Sequence, residues 1–173
     1  MSEALISMGS LAVALLQPGA RFVLHCGADD AELIASATGV KLGEKSLRAT
    51  VAGQWAALHL ATDEWLLVGQ LSEAEALKAA FEGVDTPHSL VDVSDRSVGL
   101  EVIGALAPDL LNAGCSLDFD ISQFPTGACT RTLLGKAPIL LWRTGDEPCF
   151  RLECAPSYYR YVTTLLRTAA RDI

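Results

Sequence analysis

Short apolar runs alternate with breaks rich in Gly, Pro and Asp, and the period of each run tells which element it builds. Residues 21–26 (RFVLHC) read as a strand. Asp29 and Asp30 then stand where a helix cap would sit, Leu33, Ile34 and Ala37 supply the apolar positions, and Gly39 ends the helix. Residues 47–51 (LRATV) alternate as a half-buried strand does. Residues 56–61 (AALHLA), the turn Thr62-Asp63-Glu64 and residues 65–69 (WLLVG) form a β-hairpin pattern. Ser72 and Glu75 have the spacing of a capping box, in which each side chain satisfies an amide of the first turn. The helix behind them carries Leu77 and Phe81 at i, i+4 and stops at Gly83.

The second half repeats this order. Residues 90–94 and 98–103 (VGLEVI) are strand-like, and Pro108 opens a helix with Leu110 and Leu111 that Gly114 closes. Residues 130–134 are extended, and APILLWR, the turn Thr144-Gly145-Asp146-Glu147 and CFRLEC make a second hairpin. Pro156 opens a last helix, with Tyr158, Val162, Leu165 and Ala169 expected on its inner face. Gly27 in the first half corresponds to Gly104 in the second, and Asp63 to Asp146. The expected fold is therefore α+β: a pseudo-duplicated pair of strand-helix-hairpin-helix lobes. Residues 1–20 are expected to be an N-terminal extension, and 21–173 a single domain of two similar lobes, about 21–87 and 88–173.

Composition narrows the class. With 173 residues, 50% of them hydrophobic and 20% charged, the chain can bury a substantial core, which excludes intrinsic disorder. The net charge of −8 argues against a general nucleic-acid or anionic-membrane binder. No apolar run approaches the ~20 residues that cross a bilayer, and no basic residue precedes Arg21 to flank the run at residues 11–16 as in a secretory leader. Five cysteines at irregular spacing, without C-x-x-C, fit reduced thiols in a cytoplasmic protein. His25, His59 and His88 stand singly, so no paired metal-ligand spacing exists.

Motifs of catalysis are missing. No G-x-G-x-x-G follows a strand, Gly135-Lys136 has Thr130 where a P-loop needs Gly, and no G-x-S-x-G occurs. A Cys–His nucleophile pair would have to meet in space, and no cysteine stands in an activating context. Asp118 and Asp120 offer either a carboxylate pair on one strand face or a polar loop. Trp65 and Trp142, on hairpin strands, read as core or interface anchors. No catalytic, cofactor-binding or metal-binding residue is assigned on this chain.

One long stretch carries a resemblance. V-D-V-S-D-R (residues 91–96), V-G-L-E-V (98–102), L-L-N-A-G-C (110–115), C-T-R-T-L-L-G-K (129–136) and L-W-R-T (141–144) occur in an order and spacing that resemble the gamma subunit of heterotetrameric sarcosine oxidase. The segment A-T-D-E-W-L-L-V-G is similar to that family's L-G-P-D-E-W-L-L-L, and the likeness runs from about Phe22 to the C-terminus. The usual D-V-S-H-R-Q reads D-V-S-D-R-S here, with Asp95 and Ser97 departing. The same layout is similar to the folate-binding fold of the aminomethyltransferases (the glycine-cleavage T protein). The K-G-C-Y-x-G-Q motif of the iron–sulfur-repair relatives is absent, since Thr-Arg-Thr follows Cys129.

The resemblance implies a non-catalytic subunit packed on alpha, beta and delta subunits. That complex demethylates sarcosine oxidatively to glycine, yielding formaldehyde or methylene-tetrahydrofolate and hydrogen peroxide. FAD, FMN, NAD, tetrahydrofolate and zinc are then expected on partner subunits and none here. Arg96, Arg131 and Arg143, each inside a matching segment, are candidate ion-pair donors, internal or at the partner interface, with Trp142 a further interface candidate. A local pair of Arg96 with Asp92 or Asp95 is the simpler account of that residue. A stand-alone folate-binding one-carbon transferase, or an orphan scaffold of the same fold, is the alternative.

Overall fold

A computed structural model describes residues 3–173. Strands and helices gather into two compact units, Pro18–Asp95 and a second made of Arg96–Ile173 with the N-terminal segment up to Gln17. The chain opens on an antiparallel hairpin of β1 (Glu3–Met8) and β2 (Leu11–Leu15), turned at Gly9 with φ 52°.

The Pro18–Asp95 unit holds β3 (Gly19–Cys26), α1 (Ala31–Thr38), β4 (Arg48–Ala52), β5 (Trp55–Ala61), β6 (Glu64–Gln70), α2 (Ala74–Glu82) and β7 (His88–Asp92). Its antiparallel sheet runs β4-β5-β6-β3-β7. Alternation along β3 sends Ala20, Phe22, Leu24 and Cys26 to one face, where they meet Ile34 of α1 and Leu77 and Phe81 of α2. Gly39 ends α1 at φ 72°, its amide donating to Ala35 O at 2.9 Å; a side chain there would be strained.

The other unit adds β8 (Val98–Ile103), α3 (Ala107–Asn112), β9 (Cys129–Leu134), β10 (Ala137–Gly145), β11 (Cys149–Cys154) and α4 (Pro156–Ala169). Its antiparallel sheet runs β1-β2-β8-β11-β10-β9. The stretch β8-β11-β10-β9 thus has the same strand order as β3-β6-β5-β4 in the first unit. Leu100, Val102, Ile139, Leu141, Phe150 and Leu152 face α3 and α4. Strand β10 is buried on both sides, since Leu140 and Trp142 point away from that core, so its sequence shows a continuous apolar run instead of alternation.

Several local expectations are corrected. The segment read as an N-terminal extension supplies two strands, with β2 pairing β8 through Ala12–Ile103 and Leu15–Leu100. The first unit runs to Asp95 instead of residue 87, because β7 pairs with β3. Neither helix cap forms: 3-10 turns at Ala28–Asp30 and Leu71–Glu73 lead into α1 and α2. Those turns put Asp30 and Glu73 in right-handed helical geometry, whereas a capping side chain needs extended backbone. Ser72 points to the Glu73 carboxylate instead, and Glu75 pairs with Lys78 at 2.9 Å.

The inner face of α4 keeps Val162, Leu165 and Ala169 of the expected series against the core, but is centred one residue further on. Val162, Leu166 and Ala170 are buried, with Thr163, whose hydroxyl donates back to Tyr159 O at 2.9 Å. Tyr158 remains exposed. Both apolar series satisfy a helical period, and packing against the sheet buries Val162, Leu166 and Ala170 fully while Leu165 and Ala169 lie at the edge of the contact.

Candidate functional site

The four candidate interface residues take different places. Arg143, on β10, is 3% exposed. Its Nε donates to Gly145 O at 3.1 Å and Nη2 to Asp146 O at 2.9 Å; Nη1 donates to Phe119 O at 3.2 Å and Phe124 O at 3.3 Å. Its guanidinium lies 5.4 Å from the centre of the Phe150 ring. All four of these acceptors are main-chain carbonyls, so Arg143 ties the 119–124 loop to the β10–β11 turn inside its own unit. A planar fork of five donors suits that task, and a lysine's point charge does not.

Asp118 and Asp120 shape the loop that Arg143 holds. Asp118 Oδ1 accepts from the Asp120 amide at 2.9 Å, and Asp120 Oδ1 accepts from Ser122 N at 2.8 Å and Ser122 Oγ at 2.6 Å. These are Asx turns on a loop, and the Ser122 hydrogen bonds hold the Asp120 carboxyl below its ordinary range. Trp142 is buried, and its indole Nε1 has no hydrogen-bond partner among the described residues. Arg96 and Arg131 are exposed, Arg131 on the edge strand β9.

Asp92 is engaged elsewhere than at Arg96. Its Oδ1 accepts from Ser94 Oγ at 2.7 Å and Ser94 N at 3.0 Å, and its Oδ2 pairs with Lys78 at 3.1 Å. The Ser94 hydrogen bonds, ahead of Lys78, keep the Asp92 carboxyl below its ordinary range. Ser94 Oγ also accepts from the Arg21 amide at 3.0 Å, and Arg21 Nη1 donates to Gly19 O at 2.9 Å. The V-D-V-S segment therefore stitches the end of β7 to the start of β3.

The thiols are placed for packing. Cys26, Cys115, Cys129 and Cys154 are buried. Burial, then neighbouring carboxylates, pushes the Cys26 and Cys154 thiols up to about 11. Half-buried Cys149 is also raised, by burial first, and hydrogen-bonds Thr144 Oγ1 at 3.1 Å. A thiol held protonated is a poor nucleophile. Among the described residues, no three His, Cys, Asp or Glu side chains converge on a metal position.

An open groove of 430 Å³ lies between α4 and the end of α3, lined by Ala113, Tyr161, Thr164, Leu165, Thr168 and Asp172, among others. Its polar members, Tyr161, Thr164, Thr168 and Asp172, are all exposed. Tyr161 Oη accepts from the Lys136 amide at 3.1 Å, which fixes that ring against the β9–β10 turn. This outer side of α4 was missed from the sequence; its signal is the second apolar stripe, Tyr158-Tyr161-Leu165.

Comparison with known proteins gives these features a family. The sequence model of the "Sarcosine oxidase, gamma subunit family" matches residues 23–172. A sarcosine oxidase subunit gamma from Corynebacterium sp. (strain P-1) is 30% identical over 139 residues, covering 80% of this chain and 68% of that protein. Gamma subunits from Arthrobacter sp and Corynebacterium sp. (strain U-96), each 33% identical, align over 56% and 66% of this chain and 48% and 56% of their own lengths. This chain thus spans about half the length of those two relatives.

Among solved structures, a chain of the heterotetrameric sarcosine oxidase from Corynebacterium sp. U-96 superposes with a TM-score of 0.84 at 23% identity, over 97% of this chain and 88% of that one. The glycine cleavage system aminomethyltransferase T from Bartonella henselae gives a TM-score of 0.68 at 15% identity, over 91% of this chain and 45% of that one. These two likenesses establish the α+β aminomethyltransferase-like fold. The family match takes in strands of both sheets and runs past the end of α4, and on it the chain belongs to the sarcosine oxidase gamma subunit family.

Proposed function

We propose that this chain is the non-catalytic gamma subunit of a heterotetrameric sarcosine oxidase, packing on and stabilising subunits that carry the chemistry. The observation that carries this reading is the family match over residues 23–172. Its partners are alpha, beta and delta subunits in the cytoplasm. FAD, FMN, NAD, tetrahydrofolate and zinc sit on those partners, and the complex demethylates sarcosine oxidatively. The Cys26 and Cys154 thiols, held protonated by burial, are not poised as nucleophiles. The shared strand order of the two sheets supports reading the chain as a duplicated unit.

A subunit that binds only the folded form of its partner stabilises it by RT ln(1 + [L]/Kd), about 2.7 kcal/mol at a hundredfold excess over Kd. The experiment is to add the isolated chain to its partner subunits and to follow their thermal unfolding and sarcosine-dependent oxygen uptake. The expected result is a higher Tm and greater activity. Tryptophan emission of the chain alone should not respond to FAD, FMN, NAD or tetrahydrofolate. Saturable quenching by tetrahydrofolate, with no effect on the partners, would instead favour the stand-alone one-carbon transferase.

A further inference from the structure

Helix α4 leaves two neighbouring stripes on its outer side. Arg160, Thr164, Arg167 and Arg171, spaced i, i+4, i+7 and i+11 on the helix and the turn that follows it, are all exposed. Among the described residues, no carboxylate pairs with any of the three guanidinium groups. The helix itself contains no Asp or Glu. Arg160 and Arg167 stand about 10 Å apart along the helix axis, with Arg171 on the turn beyond and the exposed Asp172 next to it, in a chain whose net charge is −8.

Beside this stripe runs the second. Tyr158 and Tyr161 are 37% and 39% exposed, and Tyr161 leads into the groove with Leu165, Ala169 and Ala113. The helix dipole favours cations at a C-terminus, which accounts for Arg167 and Arg171, but not for Arg160 nor for the two exposed rings and the groove beside them. Tyr and Arg are instead the residues that dominate binding energy at protein interfaces. The Lys136 amide already pins the Tyr161 hydroxyl, so this ring loses little freedom when covered.

From this juxtaposition we propose that the outer face of α4 is the surface on which this chain docks a partner subunit. The occupant is a protein surface that places an apolar segment in the groove and carboxylates opposite Arg160, Arg167 and Arg171. The inference rests on the heterotetramer reading above and goes beyond it by naming the surface and the partner's charge. A polyanionic nucleic acid would match the arginines but not the charge of the rest of the chain.

The test is co-purification of the tagged full chain with its partner subunits at physiological salt, using three forms. These are the unaltered chain, the triple variant Arg160→Glu/Arg167→Glu/Arg171→Glu, and the control Lys41→Glu/Lys45→Glu, whose lysines are exposed on a loop of the other unit. The expected result is recovery by the unaltered chain and the control, and at least a tenfold loss for the triple variant, with its Tm unchanged. If the triple variant unfolds, the neutral set Arg160→Gln/Arg167→Gln/Arg171→Gln replaces it, and its complex should dissociate at lower salt. Equal recovery for the triple variant overturns the proposal, as does an equal loss for the control. Failure of the unaltered chain to recover any partner removes the heterotetramer reading itself.

Discussion

Replacing Arg143 by methionine removes a buried fork and leaves four carbonyls without its donors. The bonds to Phe119 O and Phe124 O are themselves buried, and a buried acceptor left unsatisfied costs about 1–3 kcal/mol. The carbonyls of Gly145 and Asp146 lie nearer water and recover part of their loss. The methionine regains some packing on the Phe150 ring, so a net loss of about 3–4 kcal/mol is expected. At roughly 2–4 °C per kcal/mol for a chain of this size, the transition should fall by about 6–16 °C. Near-UV circular dichroism through a thermal and a guanidinium series measures it. Arg143→Lys should fall between the two, because a single ammonium cannot reach both the loop and the turn. Raising the salt concentration should leave the difference in place, since the acceptors are carbonyl dipoles and not an exposed carboxylate. A loss below about 1 kcal/mol for Arg143→Met would refute the role assigned to this residue.

Other outcomes follow from the same structure. Gly104 has φ 120°, and a Cβ there would run into the Ser10 backbone, so Gly104→Ala should loosen the N-terminal hairpin and speed hydrogen exchange in β2. Gly135→Ala meets φ 59° and the Tyr161 hydroxyl and should cost about 1–3 kcal/mol in denaturant unfolding, with Tyr161→Phe relieving part of it. Asp92 has a lowered folded pKa, so its stabilisation is present above its unfolded value of 3.8 and is lost as pH falls through the folded value. Asp92→Asn should therefore flatten the acid limb of the stability profile while costing less than about 1 kcal/mol at pH 7, because the pair is exposed. Native thiol labelling at pH 8 should reach Cys149 first and Cys26 and Cys154 only on unfolding, read by mass spectrometry.

Much of the architecture is written locally. The turns at Thr62-Asp63 and Thr144–Glu147 sit between continuous apolar runs, and both hairpins form there. Gly39 marks the end of α1 because the left-handed cap needs it. The N-terminal strands pair locally with each other, but their place in the sheet was not legible, since β2 also pairs with β8, more than eighty residues away, and nothing in LAVAL specifies that pairing. The capping patterns at Asp29-Asp30 and at Ser72 misled because 3-10 turns intervene, a choice of backbone that side-chain identity does not encode. Helix α4 carries two apolar stripes, and only the packed sheet decides which faces inward.

The candidate residues divide along the same line. A sequence shows that Arg143 exists but not that its acceptors are carbonyls, so a buried organiser and a surface ion-pair donor look alike until the loop is seen. Trp142 reads as an anchor and is buried on the side of β10 away from the helix core. The arginines of α4 stand in the sequence, but their alignment beside Tyr158 and Tyr161 emerges only from the helix.

The most direct test of the central claim is tagged purification of this chain from its native cells grown on sarcosine, read by subunit mass and visible absorbance. The expected result is a yellow assembly with three further polypeptides that oxidises sarcosine, from which this chain dissociates colourless. A colourless chain recovered alone from such cells would contradict its place in a sarcosine oxidase complex.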